Sequence, residues 1–251
     1  MTLNPVEAAK RAAAYAAVDA HVKLSHRYIG IGSGSTVPYV VERILAQGDE
    51  ANKERWFIPT SFQSKQLIVG NGLRLGDIDT FPEIDVAIDG ADEVDNALNL
   101  IKGGGACHLQ EKVIAQAAKE LIIVADYRKR SSVLGTNWTQ GIPVEVAPVA
   151  ASQVLASLKR LGSTDAHLRM AKAKAGPVVT DNGNLCIDAP FSTAYLRDPA
   201  QLNSQIKQLV GVVEVGIFPG MAKAAYFGNQ DGTVSIQHED GSFKENITVE
   251  I

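Results

Sequence analysis

The chain has 251 residues, 45% of them hydrophobic and 21% charged, with a formal net charge of −4; this is ordinary globular composition, and the acidic balance argues against a nucleic-acid partner, which a basic face would mark. No apolar run is long enough to span a bilayer, and the first eleven residues lack the basic start and apolar core of a signal peptide. Cys107 and Cys186 are too few for a disulfide framework and lack metal-pair spacing, so reduced thiols in a cytoplasmic setting are expected.

Residues 5–23 are alanine-rich, and Val6, Ala9, Ala13, Ala16, Ala17 and Ala20 recur at the spacing of one helix face. Lys10 and Arg11 ride on that helix, where a solvated cationic edge suits Arg11. A first strand is predicted at 28–31, and Gly32-Ser33-Gly34-Ser35-Thr36 separates it from a helical run over 37–45. A turn rich in glycine and hydroxyls exposes backbone N–H groups at the positive end of a helix, where an anion binds. The same glycines suit a tight turn that needs their backbone angles, and the loop alone does not choose between the two. The dinucleotide fingerprint lacks its third glycine, the Walker lysine is missing, and the second strand at 56–58 runs into Pro59-Thr60-Ser61 without an acid for a ribose hydroxyl. A nicotinamide cofactor is disfavoured and one small phosphate is favoured.

A helix over 61–69 and a short strand over 73–75 lead through Pro82 to Val86-Ala87-Ile88, a run long enough only for a buried strand. Asp89 stands where that strand meets its loop, the place where open α/β sheets put ligand chemistry. Residues 85–112 gather Asp89, Asp92, Glu93, Asp95, Lys102, Gly103, Gly104, Gly105 and Glu111. Carboxylates unpaired and out of water are costly, so a structural reason alone is insufficient. A calcium loop needs acids at alternate positions followed by glycine, and Gly90 comes too early. Glu93 and Asp95 lead away from the strand end and are expected to be solvated. Glu111 opens a helix, where the macrodipole favours an acid, but that leaves the three preceding glycines unexplained. Glycines let a ligand approach the backbone, and their N–H groups stabilise negative charge developing on an oxygen. A carboxylate beside them is suited to taking a proton from carbon next to a carbonyl.

Leu109, Val113, Ile114, Ala117, Ala118 and Leu121 keep helical spacing, and a strand over 121–124 ends at Asp126. Arg128, Lys129 and Arg130 follow within reach of the same crevice. The alternation of strands and helices predicts an α/β fold, a Rossmann-like mostly parallel sheet with helices on both faces. From 141 the pattern changes: a strand at 144–146, a helix at 150–161, a strand at 167–170, a strand pair or bent hairpin at 178–188, a helix at 198–210 capped by Asp198 with Pro199 first, and a strand at 212–218. That order is a split βαβ unit, a smaller α+β, ferredoxin-like domain. A hairpin of 224–227 and 233–237 through Asp231-Gly232 is expected to return to the first sheet, leaving 238–251 as a peripheral polar end. The expected domains are 1–136 together with 220–251, and 137–219.

Asp89-Gly90-Ala91-Asp92-Glu93, Ile101-Lys102-Gly103-Gly104-Gly105 and Gln110-Glu111-Lys112 resemble the signature motifs of ribose-5-phosphate isomerase, type A. The resemblance extends through Gly32-Ser33-Gly34-Ser35-Thr36, Pro59-Thr60-Ser61, Ala125-Asp126 with Lys129, Pro143-Val144-Glu145-Val146 and Val179-Thr180-Asp181-Asn182-Gly183-Asn184. It implies an interconversion of ribose 5-phosphate and ribulose 5-phosphate in the pentose phosphate pathway, through an enediolate, with no cofactor and no metal. By that resemblance Glu111 is the base that moves the proton between C1 and C2. Asp89, Asp92 and Lys102 open the furanose ring and handle the hydroxyl and carbonyl oxygens, and the Gly103, Gly104 and Gly105 amides steady the enediolate. Gly34, Ser35 and Thr36 hold the phosphate or sugar end, Lys129 and Lys10 add charge there, and Ser33, Gly90 and Ala91 line the substrate. A homodimer or homotetramer is implied as well.

One departure stands out. The family commonly has a threonine or another polar residue before the Gln-Glu-Lys triplet, and this chain has Leu109, preceded by His108. The capping of the Glu111 helix is thereby left open. His108 has an unperturbed pKa suited to acid–base work, although a lone histidine is more often structural. Two other functions fit parts of the pattern: a transferase with Glu111 as nucleophile, and a non-catalytic sugar-phosphate sensor. A sensor needs the phosphate loop but not the combination of Asp89, Asp92, Lys102 and Glu111.

Overall fold

The computed structural model describes residues 4–249. In chain order its elements are α1 (Pro5–His21), β1 (Tyr28–Ile31), α2 (Val37–Ala46), α3 (Asp49–Asn52), β2 (Trp56–Pro59), α4 (Phe62–Gly70), β3 (Val86–Asp89), β4 (Glu93–Val94), β5 (Leu100–Ile101), α5 (His108–Ala117) and β6 (Leu121–Asp126). They continue with β7 (Ile142–Val146), α6 (Ala151–Leu161), β8 (His167–Leu168), β9 (Leu185–Ala189), α7 (Thr193–Leu196), α8 (Pro199–Lys207), β10 (Val212–Val215), β11 (Ile217–Phe218), β12 (Ala222–Gly228), β13 (Val234–His238) and β14 (Phe243–Ile247). The chain divides into two compact units: one takes the segment ending at Ala91, Gln110–Arg130 and the segment from Gly220 onward, and the other takes Asp92–Leu109 and Ser131–Pro219. No described helix is long and apolar enough to cross a membrane.

The first unit is built on a seven-stranded sheet in the order β14-β13-β12-β6-β3-β1-β2. Strands β2, β1, β3, β6 and β12 run parallel, and β13 and β14 close one side antiparallel. Side chains alternate across a strand. Ile29, Ile31, Val86, Ile88, Ile122 and Val124 therefore share a core with α1 and α2, while Ile114 of α5 packs against Gly30 on the opposite face. Helices thus cover both faces. Asn4 starts α1 by accepting a hydrogen bond from the Val6 amide, with Pro5 in the first turn.

The alanine enrichment of α1 has a packing reason: Ala9, Ala12, Ala13, Ala14 and Ala17 are fully buried. Small side chains let the helix lie flush on the sheet, and at β12 the approach is backbone to backbone. A side chain on Gly228 would begin 1.7 Å from the Ala9 carbonyl oxygen. Gly228→Ala is therefore expected to cost about 3 kcal/mol or more, since overpacking against rigid backbone has no side chain to displace. Thermal unfolding measures it, and a melting temperature unchanged from wild type would contradict this packing.

The C-terminal segment joins the first sheet, where β12 pairs with β6 in parallel register and turns into β13. The tail is less peripheral than its polarity suggests. Phe243–Ile247 is strand β14, paired with β13, and Arg130 stacks its guanidinium 3.8 Å from the Phe243 ring centre. Residues 250 and 251 of that expected tail lie outside the described residues. The expected strand at 73–75 reduces to one bridge, Phe57 to Leu75.

The second unit holds a four-stranded antiparallel sheet in the order β10-β7-β9-β8. β7 and β8 run parallel with β9 between them, which is the split βαβ arrangement. Val144, Val146, Ile187 and Ala189 face Val154 and Leu158 of α6 and Leu202 and Ile206 of α8. The strand expected over 212–218 breaks at Gly216, whose N–H donates to Pro143 and whose carbonyl accepts from Lys102. Ile217 and Phe218 beyond the break pair instead with β5, in a small sheet ordered β11-β5-β4.

Candidate active site

In the first unit β1 has β2 on one side and β3 on the other, so the strand order reverses between β1 and β3. Crevices at such points, beyond the C-terminal strand ends, are where open α/β sheets bind ligands. Asp89 ends β3 there, buried at 2% exposure, and its Oδ1 accepts the Ser33 N–H at 2.9 Å and the Gly90 N–H at 2.7 Å. Gly32 makes this approach possible, since a Cβ on it would lie 2.1 Å from that oxygen. Gly32 itself donates to the Ile88 carbonyl at 2.9 Å, tying loop to strand.

The Ser33 hydroxyl is hydrogen-bonded to Thr60 Oγ1 at 2.8 Å and Ser61 Oγ at 2.6 Å. Ser61 caps α4 through a reciprocal box with Ser64. The Gly34 amide, held at a φ of +104°, donates to Gln63 Oε1 at 2.8 Å. Sequence reasoning passed over Gln63; its signal was a place in the first turn of the helix that follows Thr60-Ser61. Ser35 is exposed and Thr36 is buried at the start of α2.

Glu111 is placed by its own helix. It lies one turn before Ile114, on the same face, and Ile114 packs on Gly30, whose sheet neighbour is Ala87. Two residues beyond Gly30 and Ala87 are Gly32 and Asp89, so one helical turn back from Ile114 carries Glu111 about as far toward that edge. The Glu111 side chain is buried, at 5% exposure.

The first turn of α1 shares that edge. Lys10 donates to Glu7 at 2.7 Å and is itself buried, and Tyr39 of α2 donates to the second Glu7 oxygen at 2.8 Å. The hydrogen bonds from Lys10 and Tyr39 hold the Glu7 carboxyl below the usual carboxylate range. Burial and the Glu7 carboxylate push the Tyr39 hydroxyl up to about 12. Asp126, at the end of β6, pairs with Arg128 at 2.6 Å. Burial works to raise its pKa, but the hydrogen bonds and charge of Arg128, with the charge of Lys129, outweigh it and leave Asp126 lowered. Lys129 sits in the single turn Tyr127–Lys129 that follows.

The second unit brings together the remaining expected residues. Asp92 accepts the Gly104 N–H at 2.7 Å. Lys102 is buried at 2% exposure, and its ammonium lies 5.6 Å from the Phe218 ring centre, a cation–π contact. Gly103 adopts a φ of +101° and Ala106 one of +58°, closed by a hydrogen bond from the Ala106 amide to the Gly103 carbonyl. His108 is fully buried, and its ring packs under Gly103, where a Cβ would meet Nδ1 at 2.6 Å. Gly90 and Ala91, which follow Asp89 at the end of its segment of the first unit, are both half-buried.

The expectation that Glu93 and Asp95 are solvated is corrected. Glu93 is fully buried, and its carboxylate accepts N–H groups of Gly135, Thr136, Asn137 and Trp138. Asp95 is buried at 6% exposure and accepts from the Ala97 and Asn99 amides and the Asn99 side chain. Both acids organise loops; their charge is met by backbone N–H groups in place of water.

Residues 56–232 match the family model of ribose 5-phosphate isomerase A (phosphoriboisomerase A). The ribose-5-phosphate isomerase of Mycosarcoma maydis is 65% identical over 249 residues, 99% of this chain and 87% of that protein. That of Schizosaccharomyces pombe is 55% identical over 242 residues, 96% of this chain and 87% of that protein. Among solved structures, ribose 5-phosphate isomerase A from Methanocaldococcus jannaschii gives a TM-score of 0.82 at 37% identity, covering 92% of this chain and 98% of its own. A D-ribose-5-phosphate isomerase in complex with phospho-erythronic acid gives 0.85 at 36% identity, covering 94% and 100%.

Proposed function

This chain belongs to the ribose 5-phosphate isomerase A family, and we propose that it interconverts D-ribose 5-phosphate and D-ribulose 5-phosphate through an enediolate, with Glu111 as the base. The observation that carries the mechanism is the placement of Glu111, buried and set by Ile114 against β1. A carboxylate withdrawn from water accepts a proton from carbon more readily than a solvated one, and it returns that proton to the neighbouring carbon without exchange with bulk.

In this reading Asp89 and Asp92 take the hydroxyl protons of the open sugar, and Lys102 supplies positive charge to the carbonyl oxygen. The amides of Gly103, Gly104 and Gly105 stabilise the enediolate oxygens. Ser33, Gly34, Ser35 and Thr36 receive the phosphate with charge from Lys129 and Lys10, and Gly90 and Ala91 line the sugar. A homodimer or homotetramer and a cytoplasmic setting belong to the same proposal, the latter supported by two cysteines without a disulfide framework.

The test is an assay of purified protein on ribose 5-phosphate with a chelator and no nicotinamide. Ribulose 5-phosphate is expected at an undiminished rate. Activity abolished by the chelator and restored by a divalent cation would overturn the metal-independent mechanism.

A further inference from the structure

Arg169 follows β8 in the second unit and is drawn inward, with its side chain at 15% exposure. Its Nη1 donates to two consecutive carbonyls, Gly103 at 2.9 Å and Gly104 at 3.1 Å. Its Nε and Nη2 are held by the carboxylate of Asp188 on β9, with the Nε bond at 2.8 Å. All three nitrogens of the guanidinium are thereby committed, in the planar fork that only arginine provides. We infer that Arg169 is a positioning residue for the isomerisation, which fixes the glycine loop so that the Gly104 amide holds Asp92 and the Gly105 amide faces the reacting oxygens.

The geometry follows from the planarity of the trans peptide. Where the carbonyls of Gly103 and Gly104 point to Arg169, the N–H groups of Gly104 and Gly105, on the same two peptides, point away from it. The Gly104 N–H is then delivered to Asp92 at 2.7 Å. A cation bonded to the carbonyl end of a peptide also polarises it and makes its N–H a stronger donor. The loop needs such an anchor, since Ala106 holds a left-handed backbone at φ +58°, which costs about 1 kcal/mol or more for a residue with a Cβ. Asp188 keeps the guanidinium from turning away.

The inference rests on the reading of Gly103, Gly104 and Gly105 as the nest for the enediolate oxygens. Its test compares wild type with Arg169→Met, Arg169→Lys and Asp188→Asn, in turnover and in the inhibition constants of two competitors. Phospho-erythronic acid carries a carboxylate where the enediolate forms, and erythritol 4-phosphate carries a neutral alcohol there with the same phosphate. Arg169→Met is expected to lower kcat about 100-fold with KM within about threefold, because a misplacement near 1 Å costs that much. It is also expected to weaken phospho-erythronic acid at least about tenfold and leave erythritol 4-phosphate within about threefold. Lysine, which cannot span both carbonyls and Asp188, recovers only part of the loss.

Both constants rising together, or neither moving, would overturn the inference, because a merely structural arginine does not distinguish the two competitors. If Arg169→Met does not fold, Arg169→Lys and Asp188→Asn carry the same comparison. A wild type that fails to turn over ribose 5-phosphate would sink the functional reading itself, whereas an active wild type with an unmoved ratio sinks only the role of Arg169.

Discussion

Glu111→Gln lowers kcat by about 10³-fold in the expected result, with KM changed by no more than a few-fold. Glutamine keeps the shape and the hydrogen-bonding oxygen of glutamate but cannot accept a proton from carbon. A positioned general base contributes on the order of 10² to 10⁴ in rate, and this base is the only group assigned to the carbon acid. An interaction made only in the transition state shows its loss in kcat and in kcat/KM alike. Glu111→Asp sharpens the test. It retains the base but withdraws it by one methylene, and a displacement of that order costs about 10²-fold. Transfer of deuterium from C2 of labelled ribose 5-phosphate to C1 of ribulose 5-phosphate provides an independent measure and should vanish in Glu111→Gln. A glutamine variant keeping more than a tenth of wild-type kcat would move the base elsewhere.

The second large effect falls on stability. Glu93 is fully buried and its two oxygens receive backbone N–H groups from Gly135 at 2.6 Å, Thr136 at 3.0 Å, Asn137 at 2.8 Å and Trp138 at 3.3 Å. Glu93→Ala removes the acceptor and strands those donors. With about 1 to 3 kcal/mol for each unsatisfied buried group, partly relieved by water entering the space, a loss of about 3 to 5 kcal/mol is expected. Glu93→Gln should rescue little, because its NH₂ would face N–H groups and only one oxygen would remain to accept. Urea unfolding reads both. The Trp138 ring rests against Gly104, where a Cβ would meet Cη2 at 2.8 Å, so turnover should fall even where the variant is folded. A Glu93→Ala protein within about 1 kcal/mol of wild type would show that the carboxylate is dispensable to its loop.

What was legible in the sequence was whatever depends on neighbours along the chain. The apolar run before Asp89, the glycine and hydroxyl turn after β1 and the helical spacing around Glu111 all report local periodicity, and the α/β sheet and split βαβ order follow from them. Glu93 and Asp95 defeated that reasoning in different ways. Asp95 bonds within its own turn, which carries no glycine or proline signal, and Glu93 finds its donors some forty residues on. Arg169 meets Gly103 across 66 positions, a distance no motif spans. Strand β14 reads Phe-Lys-Glu-Asn-Ile, too polar to announce itself, and is held by the edge of a sheet already formed. The two-residue strands β4, β5 and β11 are too short to leave any period.

The pairing of β6 with β12 has a consequence for how the protein is made. β6 is buried along its whole length, yet the strand that covers its outer edge is translated about a hundred residues later. At roughly 5 to 20 residues per second, that edge waits about 5 to 20 seconds on the ribosome. During the wait Ser131–Pro219 emerges and completes the second unit, whose other segment, Asp92–Leu109, precedes β6. The sequence inserted within the sheet's own segments can thus finish folding before its host. In the nascent chain, Leu121-Ile122-Ile123-Val124 is the open apolar edge at which association with another chain competes with completion of the fold.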